Sequence, residues 1–300
     1  MMILRPMLFP PEDPLSYERY FEELPFPLLG SPKYDGIRSV VEEGVALSRT
    51  LKPLPSVQVQ EDFALVEFTD GELIEGNMRD FDVYNRTQSY VMSFLNPGNL
   101  SYHVFDFRHP DWIGKEFYRR LEKAHEMIRG HPNYFPVEHR EIDNIDELLD
   151  YEQDMLDEGW EGLMLRNPVG YYKSGKCTWK QQLGFKLKRF KDDEGLILEI
   201  EEGTVNENEQ ERDERGYAKR STKKDGLVLA GTTGTIIVEH QGRPMRVGPG
   251  ALTHQQREEL FKQRHEHEGK SYLKFRHTPH GVKNQLRQAR AIGLRSLIDM

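Results

Sequence analysis

Charge divides this chain into two parts, and any fold it adopts has to respect that division. Residues 1–170 carry 16 Lys and Arg against 32 Asp and Glu, a net of −16. Residues 171–300 carry 25 against 18, a net of +7. The change begins abruptly: Tyr171 to Phe190 holds six basic residues and no acidic one. Lys191 to Glu211 then reverses to −8, and Arg212 to Met300 carries +9. Such asymmetry within 300 residues points to a polyanionic partner for the basic segments. A solvated basic face is the alternative. The composition shift places the boundary near Arg189.

The pattern on the two sides differs as well. The first part reads as mixed α and β. Ser39–Ser48 is a strand pair split at Glu43-Gly44. Phe63–Phe68 and Glu72–Ile74 read as apolar alternating runs around an Asp70-Gly71 turn. Ser101–Phe107 and Gly162–Arg166 read as strands. Helices are expected over Lys115–Arg129, with Phe117, Leu121, Ala124 and Ile128 on one face, and over Ile145–Glu158, capped by Asn144 and ended by Gly159. Beyond Phe190 come short strands (Gly195–Ile200, Leu227–Gly231, Thr235–Glu239, Pro244–Val247) and one helix, Thr253–Arg264, which together suggest a small β-barrel. Glu201–Asp225, charged and poor in large apolar residues, should be an exposed loop or long hairpin.

Several classes are excluded or disfavoured. No apolar run approaches the 18 residues of a membrane-spanning helix. Met1–Pro11 lacks the charged, apolar and small-residue regions of a secretory signal. Cys177, the single cysteine, rules out an intrachain disulfide and a cysteine-based metal site, and an intracellular setting is expected.

The sharpest chemical signal is Lys33-Tyr34-Asp35-Gly36-Ile37-Arg38. A lysine is a nucleophile toward phosphoryl centres only as the free amine, and nearby cations favour that form. Arg38 after the Gly36 turn, and Lys186 and Lys188 projecting from one face of a strand, are expected to supply those cations. Glu161, at the start of a strand, is placed to bind a divalent metal. Phe105 lies on an apolar strand, where the default reading is core.

These pieces, taken in order, resemble the covalent nucleotidyltransferases: ATP-dependent DNA ligases, RNA ligases and mRNA capping enzymes. KxDGxR resembles their active-site motif. Ser48-Arg49-Thr50, Asp70-Gly71-Glu72-Leu73, Val104-Phe105-Asp106-Phe107, Glu161-Gly162-Leu163-Met164-Leu165-Arg166 and Phe185-Lys186-Leu187-Lys188 follow in the family's sequence. The Ser-Arg-Thr segment and the Asp-Gly-x-Arg form most resemble minimal viral and phage-type DNA ligases.

The resemblance implies an α+β, ATP-grasp-like nucleotidyltransferase domain over 1–189, with antiparallel sheets and flanking helices. An OB-fold β-barrel would follow over 190–300, with a DNA-clasping hairpin at about 204–225. It implies ATP as co-substrate, Mg2+ as metal, nicked duplex DNA as partner, and a monomer. Lys33 would carry AMP. Phe105 and Met164 would sandwich adenine, and Ser31 would read its amino group. Glu72 would hold the ribose or contribute to the metal site with Glu161, and Arg49 would hold the ribose or a DNA phosphate. Lys186 and Lys188 would hold the α-phosphate, and Lys219, Arg220, Lys223 and Lys224 would meet DNA phosphates. Arg295 falls in a segment, Arg287–Arg295, similar to the family's last motif. There Arg295 and Gly293 match, but Ala289 and Ala291 replace the usual Pro and Phe. Two rivals stand beside this reading: an RNA ligase or GTP-using capping enzyme with the same lysine chemistry, and a non-catalytic duplex-binding protein.

Overall fold

The computed structural model describes residues 4–10, 21–212, 218–221, 223–282 and 285–295. Residues 213–217 and 222 of the charged segment, and part of Met1–Pro11, lie outside that range. The chain divides into two compact units, Met1–Lys188 and Arg189–Met300.

The first unit contains two sheets. One runs β7-β1-β8-β9, built from β1 (Leu28–Pro32), β7 (Arg140–Ile142), β8 (Leu163–Arg166) and β9 (Gly184–Leu187), all antiparallel. The other runs β3-β2-β4-β5-β6, from β2 (Ile37–Glu42), β3 (Val45–Ser48), β4 (Thr69–Glu75), β5 (Leu100–Phe107) and β6 (Tyr134–Pro136), with only β5–β6 parallel. Strand alternation explains their two faces. In β8, Leu163 and Leu165 are buried and Met164 faces the other way. In β9, Phe185 and Leu187 are buried while Lys186 faces the other way. Register aligns Ser31, Met164 and Lys186 across β1, β8 and β9.

Helix α3 (Phe117–Ile128) buries Phe117, Leu121, Ala124 and Ile128, the expected stripe. Helix α4 (Ile145–Asp157) starts where Asn144 accepts from the Glu147 amide at 3.0 Å. Two shorter helices, α1 (Val57–Phe63) and α2 (Val83–Val91), cover the second sheet.

The expected turn at Asp70-Gly71 is wrong. Both residues lie inside the continuous strand β4, and Phe63 ends helix α1 instead of starting a strand. Gly71 is there for packing: a Cβ would come within 2.6 Å of the His103 carbonyl oxygen and 2.7 Å of the Tyr102 ring. Asp70 is fully buried, forked by Arg38 at 2.8 and 2.6 Å and bonded by the Tyr172 hydroxyl at 2.7 Å. A buried, paired acid and a glycine beneath a ring look like a turn in sequence but satisfy a strand.

The second unit is a five-stranded sheet ordered β14-β13-β10-β15-β16. Its strands are β10 (Lys191–Asn206), β13 (Leu227–His240), β14 (Arg243–Val247), β15 (Tyr272–Val282) and β16 (Gln285–Arg295). A bridge between Gly248 and Arg290 joins the two outer strands, so the sheet closes on itself around Ile197, Ile236, Val238, Leu273 and Phe275. Helix α5 (His254–Lys262), between β14 and β15, opens with the expected capping box of Thr253 and Gln256. Two expected strands, Leu227–Gly231 and Thr235–Glu239, are one long strand. Between β10 and β13 the charged segment forms a small hairpin, β11 (Gln210–Arg212) with β12 (Ala218–Arg220). Among the described residues, no helix is long and apolar enough to cross a membrane.

Candidate active site

The two sheets of the first unit enclose a cavity of about 190 Å³. Its wall includes Ser31, Lys33, Arg38, Arg49, Glu72, Phe105, Met164 and Lys186. Eight residues named from sequence thus meet in one place although more than 150 positions separate the first from the last. Phe105 comes from β5 and Met164 from β8, so an aromatic ring and a thioether face the cavity from opposite sheets. Ser31 is buried and Arg49 is exposed.

Lys33 follows β1 directly, and its amide donates to the Gly162 carbonyl at 2.8 Å. Gly162 has φ +145°, and a Cβ there would lie 2.2 Å from the Leu187 carbonyl oxygen. Only glycine lets β1, β8 and β9 converge so closely. Beside that point the Glu161 carboxylate accepts from the ammonium groups of both Lys33 and Lys188, one oxygen each. Burial raises the Glu161 carboxyl, but the two cations outweigh it and hold it down to about 2. Lys186 lines the cavity from the adjoining strand.

One electrostatic expectation fails here. Arg38 was to stand beside Lys33 and, with the paired lysines, lower its proton affinity. Its guanidinium instead forks onto Asp70, donates to the Met7 carbonyl at 2.8 Å and lies 5.2 Å from the centre of the Phe105 ring. Burial lowers the Lys33 amine, but the Glu161 carboxylate, with Asp35 and Glu72, raises it further, so its proton is held more tightly than in water. A buried carboxylate in direct contact prevails over cations that have their own partners. Glu72 behaves oppositely to Glu161: burial lifts its carboxyl to about 7, against the pull of Lys33 and Arg38.

Other wall residues carried no signal in sequence. His139 packs its ring edge-on against Phe117 and bonds the Val137 carbonyl at 2.9 Å. Burial pushes it down to about 4, so it is neutral at pH 7. Arg166 closes the Glu161–Arg166 motif, but no role is read for it from sequence. It is held by Asp106 at 2.5 Å, and Asp106 also binds the buried Arg120 at 2.8 Å. No spacing rule announces a histidine in an irregular connection or an arginine whose partner lies 60 residues away.

The family model for the ATP dependent DNA ligase domain matches residues 6–188, which is the unit that contains this cavity. The chain belongs to that family. A curated DNA ligase from Natronomonas pharaonis is 26% identical over 231 residues, covering 70% of this chain. The chain spans 40% of that relative's length. The structure of Chlorella virus DNA ligase-adenylate is 30% identical, with a TM-score of 0.54 over 98% of this chain and all of the other. A Lig E DNA ligase structure gives a TM-score of 0.68 at 21% identity, covering 98% of this chain and all of that one, a likeness of fold.

The remaining residues expected at a site in this DNA ligase family member lie in the second unit. Lys219, Arg220, Lys223 and Lys224 are exposed on the β11–β12 hairpin and its return, and the Arg220 guanidinium donates to the Asn208 carbonyl. Arg295, near the end of β16, pairs with Glu194 at 2.9 Å.

Proposed function

We propose that this chain is an ATP-dependent DNA ligase that seals nicks in duplex DNA. The observation that carries the reading is the Lys33–Glu161–Lys188 cluster, whose Lys33 lines the cavity flanked by Phe105 and Met164. A nucleophile and a planar-ring slot line one enclosure, with the nucleophile's acidic neighbour buried beside it. Lys33 would attack the α-phosphate of ATP in line, forming a phosphorus–nitrogen bond and releasing pyrophosphate. AMP then passes to the 5′-phosphate at the nick, and attack by the 3′-hydroxyl closes the phosphodiester and expels AMP. Each step is nucleotidyl or phosphoryl transfer, so positioning and charge neutralisation do most of the catalytic work.

The roles divide by chemistry. Phe105 and Met164 grip the adenine faces, Ser31 meets its edge, and Glu72 accepts from a ribose hydroxyl. Lys186 and Lys188 draw charge from the α-phosphate oxygens. Arg49, exposed beside the cavity, holds ribose or a DNA phosphate, and Arg295 orients pyrophosphate after leaving Glu194. Lys33 attacks only as the neutral amine, so weakening its pairing with Glu161 is part of activating it. Two hard carboxylates near Lys33 fit Mg2+, with Glu72 on the cavity wall and Glu161 buried beside it as its holders. Once bound, the ion would offset charge on phosphate oxygens.

Residues 1–189 are then the adenylation domain and 190–300 an OB-fold domain. Supporting the second assignment, the central strand β10 pairs with both β13 and β15, the outer strands close the sheet, and α5 lies between the third and fourth strands. Segment 204–225 is the DNA clasp, its exposed cations set for phosphates. The protein works as a monomer inside the cell, where ATP is available. The deciding experiment is sealing of a nicked duplex with and without ATP, for the native protein and Lys33→Ala. Sealing by the variant, or by the native protein with GTP alone, sinks the proposal.

A further inference from the structure

Three strands of the second unit converge on one carboxylate. Asp193 lies near the start of β10, His240 ends β13, and His277 lies in β15; β13 and β15 both pair with β10. Asp193 Oδ2 is 3.1 Å from His240 Nε2 and 2.8 Å from His277 Nε2. The three atoms lie within 4.8 Å of one another. His240 and His277 are only 8% and 5% exposed.

The protonation pattern is informative. His277 Nδ1 is 2.8 Å from the Thr278 carbonyl oxygen, which can only accept, so Nδ1 carries the hydrogen. In the neutral ring, the Nε2 lone pair then faces an Asp193 carboxylate oxygen. Two acceptors 2.8 Å apart need a positive centre between them, either a second proton or a cation. His240 Nδ1 has no hydrogen-bond partner, so that ring's polar contact is made through Nε2.

We propose that Asp193, His240 and His277 form a Zn2+ site. Two imidazoles and a single carboxylate suit a borderline cation, whereas Mg2+ and Ca2+ select all-oxygen sets. Tetrahedral zinc with bonds of roughly 2.0 Å places its ligand atoms about 3.3 Å apart, so the two Asp193 contacts would open slightly while the two ring nitrogens, within 4.8 Å of each other, would draw together. Asp193 is part-exposed, which leaves the fourth position to water. Lys191 Nζ, 3.9 Å from the same oxygen, is mostly exposed and can turn to solvent. Phe275 packs edge-on against His240 at 5.6 Å and forms an apolar wall. The metal would fasten β10 to both of its neighbours just past the junction of the two units.

The test uses the untagged 300-residue protein, stripped with chelator and held in excess Mg2+ so that oxygen sites elsewhere are filled. Zinc titration by calorimetry should show one equivalent bound and a raised melting temperature. Cobalt substitution should give the visible bands of a tetrahedral centre. Asp193→Asn and His277→Gln should each weaken zinc binding by on the order of a hundredfold or more. Absence of zinc uptake, or native affinity retained in both variants, overturns the site. If the variants do not fold, nitrogen NMR of the native histidines decides. Zinc should shift two Nε2 resonances, and unmoved ring signals reject the proposal.

Discussion

Glu161 and Glu72 both act on the Lys33 ammonium, yet their environments push them in opposite directions, so replacing each with its amide should move stability in opposite directions. Glu161 falls from 4.5 to about 2 because two ammonium groups outweigh its burial. Its stabilising effect is fully present above the unfolded value near 4.5 and is lost as pH falls toward 2. Glu72 rises from 4.5 to about 7 because burial outweighs its cations. Its penalty is absent below about pH 4.5, grows through 7 and is complete above it. At about 1.4 kcal/mol per tenfold change in proton affinity, each effect is on the order of 3 kcal/mol. For a unit of this size that corresponds to roughly 6–12 °C. In buffer free of ATP and Mg2+ at pH 8, calorimetry should show Glu161→Gln melting lower than the native protein and Glu72→Gln melting higher. At pH 4 the Glu72→Gln gain should disappear, while the Glu161→Gln loss persists until the pH nears 2. On the proposed roles, both variants should adenylate poorly, since each would lose a group that the reaction uses. Shifts of the same sign at pH 8, or a Glu72→Gln gain that is unchanged at pH 4, would refute the electrostatic account.

Incubation with ATP and Mg2+ should add one AMP to the native protein, read by intact mass, and none to Lys33→Ala; labelling of the variant would move the nucleophile elsewhere. Because Lys33 holds its proton more tightly than a free lysine, the adenylation rate at saturating ATP should climb as pH rises from 6 to 9, and a flat profile would contradict the pairing with Glu161. Replacing 204–225 with a short Gly/Ser turn should spare adenylation but weaken nick binding and flatten the dependence of log affinity on log salt; an unchanged slope would make that segment a passive loop. Asp106→Asn leaves Arg120 and Arg166 buried against a neutral amide, and should cost about 3–5 kcal/mol in denaturant unfolding; a loss under 1 kcal/mol would show that the network is not formed in solution.

The sequence was most legible where one physical rule acted alone. Helices α3 and α4 were readable because an apolar stripe and an asparagine cap each act within a few residues. The cavity wall was readable because Lys33, Glu72, Phe105, Met164 and Lys186 sit in ordered motifs. Legibility failed where tertiary partners decide. Asp70-Gly71 has the composition of a turn, yet Arg38 and Tyr172 bury the acid inside a strand. Strand β16 was visible only as a degraded motif, because its partner β15 supplies the pairing. The proton affinity of Lys33 was misjudged for the same reason. Counting cations nearby gave the wrong sign, because Arg38 spends its charge on Asp70.

Gly162 has no side chain, yet it sets the register of Lys33, Glu161 and Lys188. Its carbonyl fixes the backbone of Lys33, its preceding neighbour carries the acid, and its bare α-carbon lets the chain beside Lys188 come close. Any side chain there would displace the Leu187 carbonyl, and the nucleophile, its counter-ion and the second lysine would lose alignment together. A screen that ranks positions by reactive side chains would pass over this one, although a single methyl group there should disable the site as surely as removing the nucleophile.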